Sequence, residues 1–178
     1  MFLNLLIIDK TLSNLLAYLI PHNEITNRIF AFLSLQGLDF FVWVVIFGGL
    51  LIWKERQHKN IIFSFLITFA VTFLVVNVIV KPIVRRERPW IAQKLSITYC
   101  PKDFSFPSGH AAGAFAGAVI FAHFDRKRRF GYYLLAILIS YSRVYLQCHY
   151  LGDVIVGAFT GATISWVYIR HYTQRIKL

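Results

Sequence analysis

The sequence predicts an all-α protein, a polytopic transmembrane helical bundle of five or six spans with an N-terminal amphipathic helix. Three observations predict it. The 178 residues are 57% hydrophobic and only 15% charged, with a mean hydropathy of +0.59, a balance that a soluble domain of this length does not reach. The apolar residues come in long runs separated by short basic connections, which is how membrane spans and their cytoplasmic loops read. The 17 Phe and 9 Tyr suit lipid-facing helices with aromatic rings near the headgroups. This length leaves room for one domain, 1–178, with amphipathic helices over 1–36 and a transmembrane core over 37–178.

In residues 3–20, Leu5, Ile8, Leu12, Leu15, Leu16 and Leu19 recur at helical spacing, while Asp9, Lys10, Ser13 and Asn14 gather opposite them. Such a helix either lies along the membrane interface, the favoured expectation, or packs its polar face on other helices as a first span. No basic residue precedes the apolar stretch and no small-residue cleavage site follows, so it is expected to belong to the mature protein and not to a secretory signal. Pro21 ends this helix, and a second runs from about Glu24 to Leu35 before a turn at Gly37. Spans are expected over 38–53, 61–80, 111–124, 132–147 and 152–169. No repeat marks an inverted-repeat transporter.

The connections 54–60 and 125–130 and the tail from Arg170 are rich in Lys and Arg, and all fall on one side if every span crosses. The positive-inside rule makes that side cytoplasmic and places residues 81–107 and the turn near His149 outside. That outer loop is basic too, with Lys81, Arg85, Arg86, Arg88, Lys94 and Lys102, against the rule. Translocated positive charge has a reason if its ligand is anionic. The formal net charge of +11 does not point to nucleic acid, because the basic residues lie between apolar spans instead of along one soluble face. Cys100 and Cys148 lack metal-ligand spacing; two free thiols is the ordinary reading, and a disulfide on the oxidising side is the alternative.

Three clusters stand at the outer ends of the spans: Lys81 to Arg88-Pro89, then Pro107-Ser108-Gly109-His110, then Ser142-Arg143 followed by His149 and Asp153. Phosphoryl transfer spreads negative charge over the equatorial oxygens, which Lys81, Arg88 and Arg143 can hold. Ser108 and Gly109 open an apolar helix, whose N-terminus favours an anion. His149 and Asp153 are four apart, so one ring nitrogen can donate to the carboxylate while the other attacks phosphorus. His110, from another helix, can protonate the leaving oxygen and then activate water.

These residues, Lys81-x6-Arg88-Pro89, Pro107-Ser108-Gly109-His110 and Ser142-Arg143-x5-His149-x3-Asp153, resemble the three signatures of the type 2 phosphatidic acid phosphatase family, which also includes vanadium haloperoxidases. The resemblance covers residues 81–153. It implies a helical bundle, usually of six helices, and an enzyme that needs no metal or cofactor. By that resemblance Lys81, Arg88, Ser108, Gly109 and Arg143 bind phosphate, His110 is the general acid, His149 the nucleophile and Asp153 its orienting group. The partners it implies are the bilayer and a lipid phosphate or diphosphate, with undecaprenyl diphosphate expected ahead of phosphatidylglycerophosphate, phosphatidic acid and a phosphorylated lipid A. The expected location is a bacterial cytoplasmic membrane with the site facing outward. Oligomeric state has no signal in the sequence.

A lone Pro-Ser-Gly-His is an ordinary helix start; three signatures in order are specific. Arg85 and Arg86 lie outside the signatures, and contact with anionic headgroups is expected there ahead of a second substrate phosphate. Trp90 reads as an interfacial anchor, and Gly113 with Gly117 as a helix-packing pair. A transporter or headgroup-binding protein would use the cations but leaves His110, His149 and Asp153 idle. A haloperoxidase would put vanadate in the same pocket.

Overall fold

The computed structural model describes residues 2–35, 41–46, 48, 58–93 and 100–176. The expected turn at Gly37, most of the span over 38–53, the basic residues over 54–57 and Lys94 lie outside the described residues. Among the described residues every regular element is helical. Helices α1 (Phe2–Ala17) and α2 (Glu24–Leu33) come first, and residues 41–46 are helical. Helix α3 (His58–Phe73) runs through a π-helical stretch, Leu74–Val80, into the single turn α4 (Lys81–Val84). The short α5 (Pro89–Ala92) is followed by α6 (Gly109–Phe124), α7 (Arg129–Tyr145) and α8 (Leu151–Ile176). The stretches Phe63–Ala92 and Leu151–His171 are long and apolar enough to cross a bilayer, and α6 is apolar but shorter.

Helix α6 is the centre of the bundle, packed against α8, α7 and α3. Its sequence explains this, because Ala111, Ala112, Ala114, Ala116 and Ala118 are buried on successive faces, and a helix apolar all round belongs inside. Small residues let the backbones approach closely, which drives helix association where lipid offers no hydrophobic contrast. The α8 residues Gly157 and Gly161 meet the carbonyls of Ser108 and Ala112, and Gly117 receives the Trp43 indole. Trp43, Phe65, Phe121 and Tyr132 fill the core beside it.

Helix α1 packs polar residues on the rest of the protein, the arrangement expected of the second of the two readings. Leu5, Ile8, Leu12 and Leu15 are exposed, whereas Asp9 and Ser13 face inward against α8, and Asn14 meets Gln93. The arrangement follows from the solvent: in a bilayer the apolar face turns outward and polar groups need partners within the protein.

Candidate active site

The start of α6, which carries the second sequence cluster, meets the end of α7 and the start of α8, which share the third, at one end of the bundle; α4 and the start of α5 carry the first. Helix α7 ends at Tyr145 in a left-handed cap at Gln147 (φ 54°), where the Gln147 amide donates to Val144 O at 2.9 Å and the Cys148 amide to Arg143 O at 3.0 Å. The His149 amide donates to the same Arg143 carbonyl at 3.1 Å. The backbone of Arg143 therefore shapes the turn that presents His149. Upstream, the π-helical stretch delivers Lys81, whose own amide bonds to Val76 O five residues back. Local widening of this kind re-aims side chains and is frequent at functional sites.

A cavity of about 280 Å³ opens between these elements. Lys81, Arg88, Gly109, His110 and His149 line it together, although 68 residues separate the first from the last. Phe69, Phe73 and Val76 of the long apolar segment make its other wall. A polar floor and a greasy wall in one cavity suit a ligand with a charged head and a hydrocarbon tail.

Arg88 is fully buried and heavily bonded. It donates to His149 Nε2 (2.9 Å), Cys148 O (2.8 Å), Asp103 O (2.8 Å) and Asp103 Oδ1 (2.5 Å). A guanidinium only donates, so Nε2 is the accepting nitrogen of His149 and the ring proton sits on Nδ1. Burial, followed by the charges of Arg88, Arg143 and Lys81, pushes the His149 pKa well below the ordinary histidine value. The Nε2 lone pair is directed at the Arg88 guanidinium, which lines the cavity beside it.

His149 Nδ1 lies 3.6 Å from Asp153 Oδ2, too far for the hydrogen bond expected from the four-residue spacing. The pair does not sit on one continuous helix, because His149 precedes the α8 start. Asp153, with no exposed surface, is held from several sides. Its Oδ2 accepts from the Ser105 hydroxyl and from the Tyr150 amide at 3.0 Å, and its Oδ1 accepts from Arg86 Nη1 at 2.7 Å. Its carbonyl accepts the Ser108 amide at 2.9 Å.

Ser108 and Arg143 stand apart from the cavity lining, whereas His110 is part of it. Ser108 is buried and its hydroxyl accepts the Ala111 amide at 3.4 Å as an N-cap. Arg143 is buried behind the site and donates to Ser34 O at 2.9 Å. His110 Nε2 is 3.1 Å from Leu35 O, so that nitrogen bears the proton and Nδ1 is the accepting one in the neutral ring. Arg85 turns back onto Pro82 O at 2.8 Å. Arg86 corrects the headgroup expectation, because two carboxylates, Asp9 and Asp153, already grip its guanidinium. Cys100 and Cys148 form a disulfide, which corrects the free-thiol reading; it ties the loop before Ser108 to the His149 turn.

Sequence reasoning missed Asp103. Its carboxylate bridges Lys81 and Arg88 in the cavity. Burial alone would raise this carboxyl, but the Lys81 hydrogen bond and the charges of Arg88 and Lys81 outweigh it and hold it below the usual range. The available signal was that Asp103 and Glu87 are the only acids in a basic loop.

The family model of the PAP2 superfamily matches residues 60–177, which contain every cluster just described. The chain belongs to the PAP2 superfamily. It is a membrane-embedded phosphatase of that group. Among PAP2 relatives, an undecaprenyl-diphosphatase from Sulfolobus acidocaldarius is 33% identical over 161 residues, 85% of this chain and 74% of the relative. A lipid A 4'-phosphatase from Bacteroides thetaiotaomicron is 30% identical over 71% of this chain and 63% of its own length. Two crystal structures share the fold: Aquifex aeolicus LpxE, at TM-score 0.68 and 24% identity over 90% of this chain and 93% of that one, and a phosphatidylglycerolphosphate phosphatase from Bacillus subtilis, at 0.70 and 21% over 97% and 88%.

Proposed function

We propose that this PAP2 protein hydrolyses a lipid-linked phosphate or diphosphate through a phosphohistidine on His149, with undecaprenyl diphosphate as the preferred substrate. The observation that carries the mechanism is the unprotonated Nε2 of His149, which accepts from Arg88 at the wall of a cavity that Lys81 and His110 also line. Lys81 and Arg88 hold the phosphoryl oxygens, Arg143 adds positive charge from behind, and Gly109, at the α6 start capped by Ser108, lets the helix N-terminus face the anion. As the phosphoryl oxygens take over the Arg88 donor, Nε2 is freed and attacks phosphorus while the bond to the leaving oxygen breaks; His110, neutral in the empty site, takes up a proton at Nδ1 as the anion enters and gives it to that oxygen. Water then attacks the phosphohistidine, giving its proton to His110 and releasing phosphate from the restored His149. Asp153 steadies the imidazolium that develops. The apolar wall of Phe69, Phe73 and Val76 takes the lipid chain.

The relative from Sulfolobus, matched over most of this chain, supports the polyprenyl diphosphate. Two features support a site facing outward from a bacterial cytoplasmic membrane. A disulfide adjoins His149, as oxidising compartments allow, and Arg126–Arg128 lie at the opposite ends of α6 and α7, as the positive-inside rule asks of the cytoplasmic side. The test is phosphate release in detergent with a chelator present, wild type against His149→Ala, from undecaprenyl diphosphate, phosphatidylglycerophosphate, phosphatidic acid and lipid A. Release by the wild type alone, fastest from the polyprenyl lipid, is the expected result. Release by both proteins, or by neither, overturns the mechanism, and a different ranking overturns the substrate.

A further inference from the structure

The start of α8 carries Asp153, and its first amides need acceptors that the helix itself does not supply. Helix α1 supplies them from 138 and 143 residues away. The Leu151 amide donates to Ser13 Oγ at 2.7 Å and the Gly152 amide to Asp9 Oδ1 at 2.8 Å. A carboxylate at a helix N-terminus is also where the peptide dipoles favour it. Asp9 does more than cap. Its Oδ2 accepts from Arg86 Nη2 at 2.7 Å, while Arg86 Nη1 donates to Asp153 Oδ1 at 2.7 Å. One planar guanidinium thus bridges a carboxylate of α1 and the carboxylate behind His149, and the Tyr150 ring lies 4.0 Å from its centre.

We infer that Asp9 and Arg86 are positioning residues of this enzyme: Asp9 fixes the Arg86 fork, and the fork fixes the rotation of the Asp153 carboxylate that faces the His149 ring. With Oδ1 held by Arg86, Oδ2 is the oxygen left toward Nδ1, and a few tenths of an ångström separate the 3.6 Å contact from a hydrogen bond. The imidazolium that forms as phosphorus is attacked would close that gap. The family match begins at residue 60, so α1 contributes to the site from outside the matched segment. The inference rests on the phosphohistidine reading above.

The experiment compares kcat, KM and melting midpoint in detergent for the wild type, His149→Ala, Asp9→Asn, Arg86→Lys and Ser13→Ala. Phosphate release by the wild type and none by His149→Ala tests the underlying reading first and separately. Asp9→Asn keeps an acceptor for the Gly152 amide but drops the charge on the fork. Arg86→Lys keeps the charge but loses the planar bridge. Both are expected to lower kcat by on the order of ten- to a hundredfold with KM within about threefold, because the defect lies in positioning and not in binding. Ser13→Ala disturbs the same helix junction without touching the fork, and is expected to keep the wild-type kcat whatever its melting midpoint. If Asp9→Asn and Arg86→Lys keep the kcat of Ser13→Ala, or if all three lose kcat in step with stability, α1 is only packing and the inference fails.

Discussion

A methyl group added at Gly157 tests whether α6 and α8 hold the site rigidly. The Cβ of Gly157→Ala would lie 2.4 Å from the Ser108 carbonyl oxygen and 3.2 Å from both Ser108 C and N, where ordinary contact begins near 3.4 Å. Those atoms are backbone, so no side chain can turn aside, and the two segments must separate by about 1 Å. The displaced turn is bonded in both directions. Ser108 N donates to Asp153 O at 2.9 Å, and Ser108 O accepts from Ala112 N at 3.0 Å at the start of the helix that bears His110.

Overpacking of this kind destabilises by roughly 1–3 kcal/mol. A 1 Å misplacement of reacting groups lowers turnover by about a hundredfold. Gly131→Ala is the matched control, since nothing lies within 4 Å of its Cβ and an exposed helical alanine is worth about 0.5–1 kcal/mol over glycine. Phosphate release and thermal unfolding in detergent read both effects. Equal turnover and equal midpoints for the two variants would refute a site held by this backbone contact.

Asp103→Asn removes the carboxylate that Lys81 and Arg88 share, so competitive inhibition by orthovanadate should tighten by about tenfold, the worth of one charge-assisted hydrogen bond; unchanged or weaker inhibition counts against Asp103 as the group an anion displaces. Histidine-labelled protein, assigned with His149→Ala, should show by 15N NMR a neutral His149 ring unprotonated at Nε2 from pH 8 to below 6.5. The sign follows from the depressed pKa: below about 6.5 the unfolded chain takes up a proton that the folded ring refuses, so this group makes stability fall as pH falls, and a ring titrating at 6.5 or above refutes the assignment. Cys100→Ser opens the cross-link between Cys100 and Cys148 and should lower stability by up to about 4 kcal/mol, with wild type under reductant behaving alike; midpoints indifferent to both would show that the disulfide does not constrain the fold.

The parts of this site that were legible in the sequence are those carried by local spacing. Lys81 with Arg88, Gly109 with His110, and His149 each come from a short run of telling residue types and line one cavity, whereas the four-residue spacing of His149 and Asp153 misled because the α8 start falls between them. The apolar helices at 61–80 and 111–124 were legible for the same reason, since a hydrophobic run needs no partner to be read. What escaped depends on pairs distant in the chain. Asp103 reaches Lys81 across 22 residues, Cys100 reaches Cys148 across 48, and Asp9 reaches Arg86 across 77. The Gln147 cap escaped for a local reason: a left-handed residue is signalled by glycine, and this one carries a full side chain.

These distant pairs also explain why so basic a loop is tolerated beside apolar helices. Unpaired cations buried at membrane level are expensive, and removing one partner of such a pair leaves an uncompensated charge. Here Lys81, Arg86 and Arg88 share Asp9, Asp103 and Asp153, so the site folds without its ligand. The three carboxylates are not equivalent. The Asp153 side chain has no exposed surface and Asp9 only 17%, whereas Asp103 has 48%. Only the last can leave without crossing packed protein. In the proposed reaction a phosphate dianion entering the cavity would exchange with Asp103 for Lys81 and Arg88, while the Asp9–Arg86–Asp153 side of the network would stay in place behind His149. That division is why Asp103→Asn should act on anion affinity and Asp9→Asn on turnover. The two variants assayed side by side separate binding from positioning within one cluster of charges.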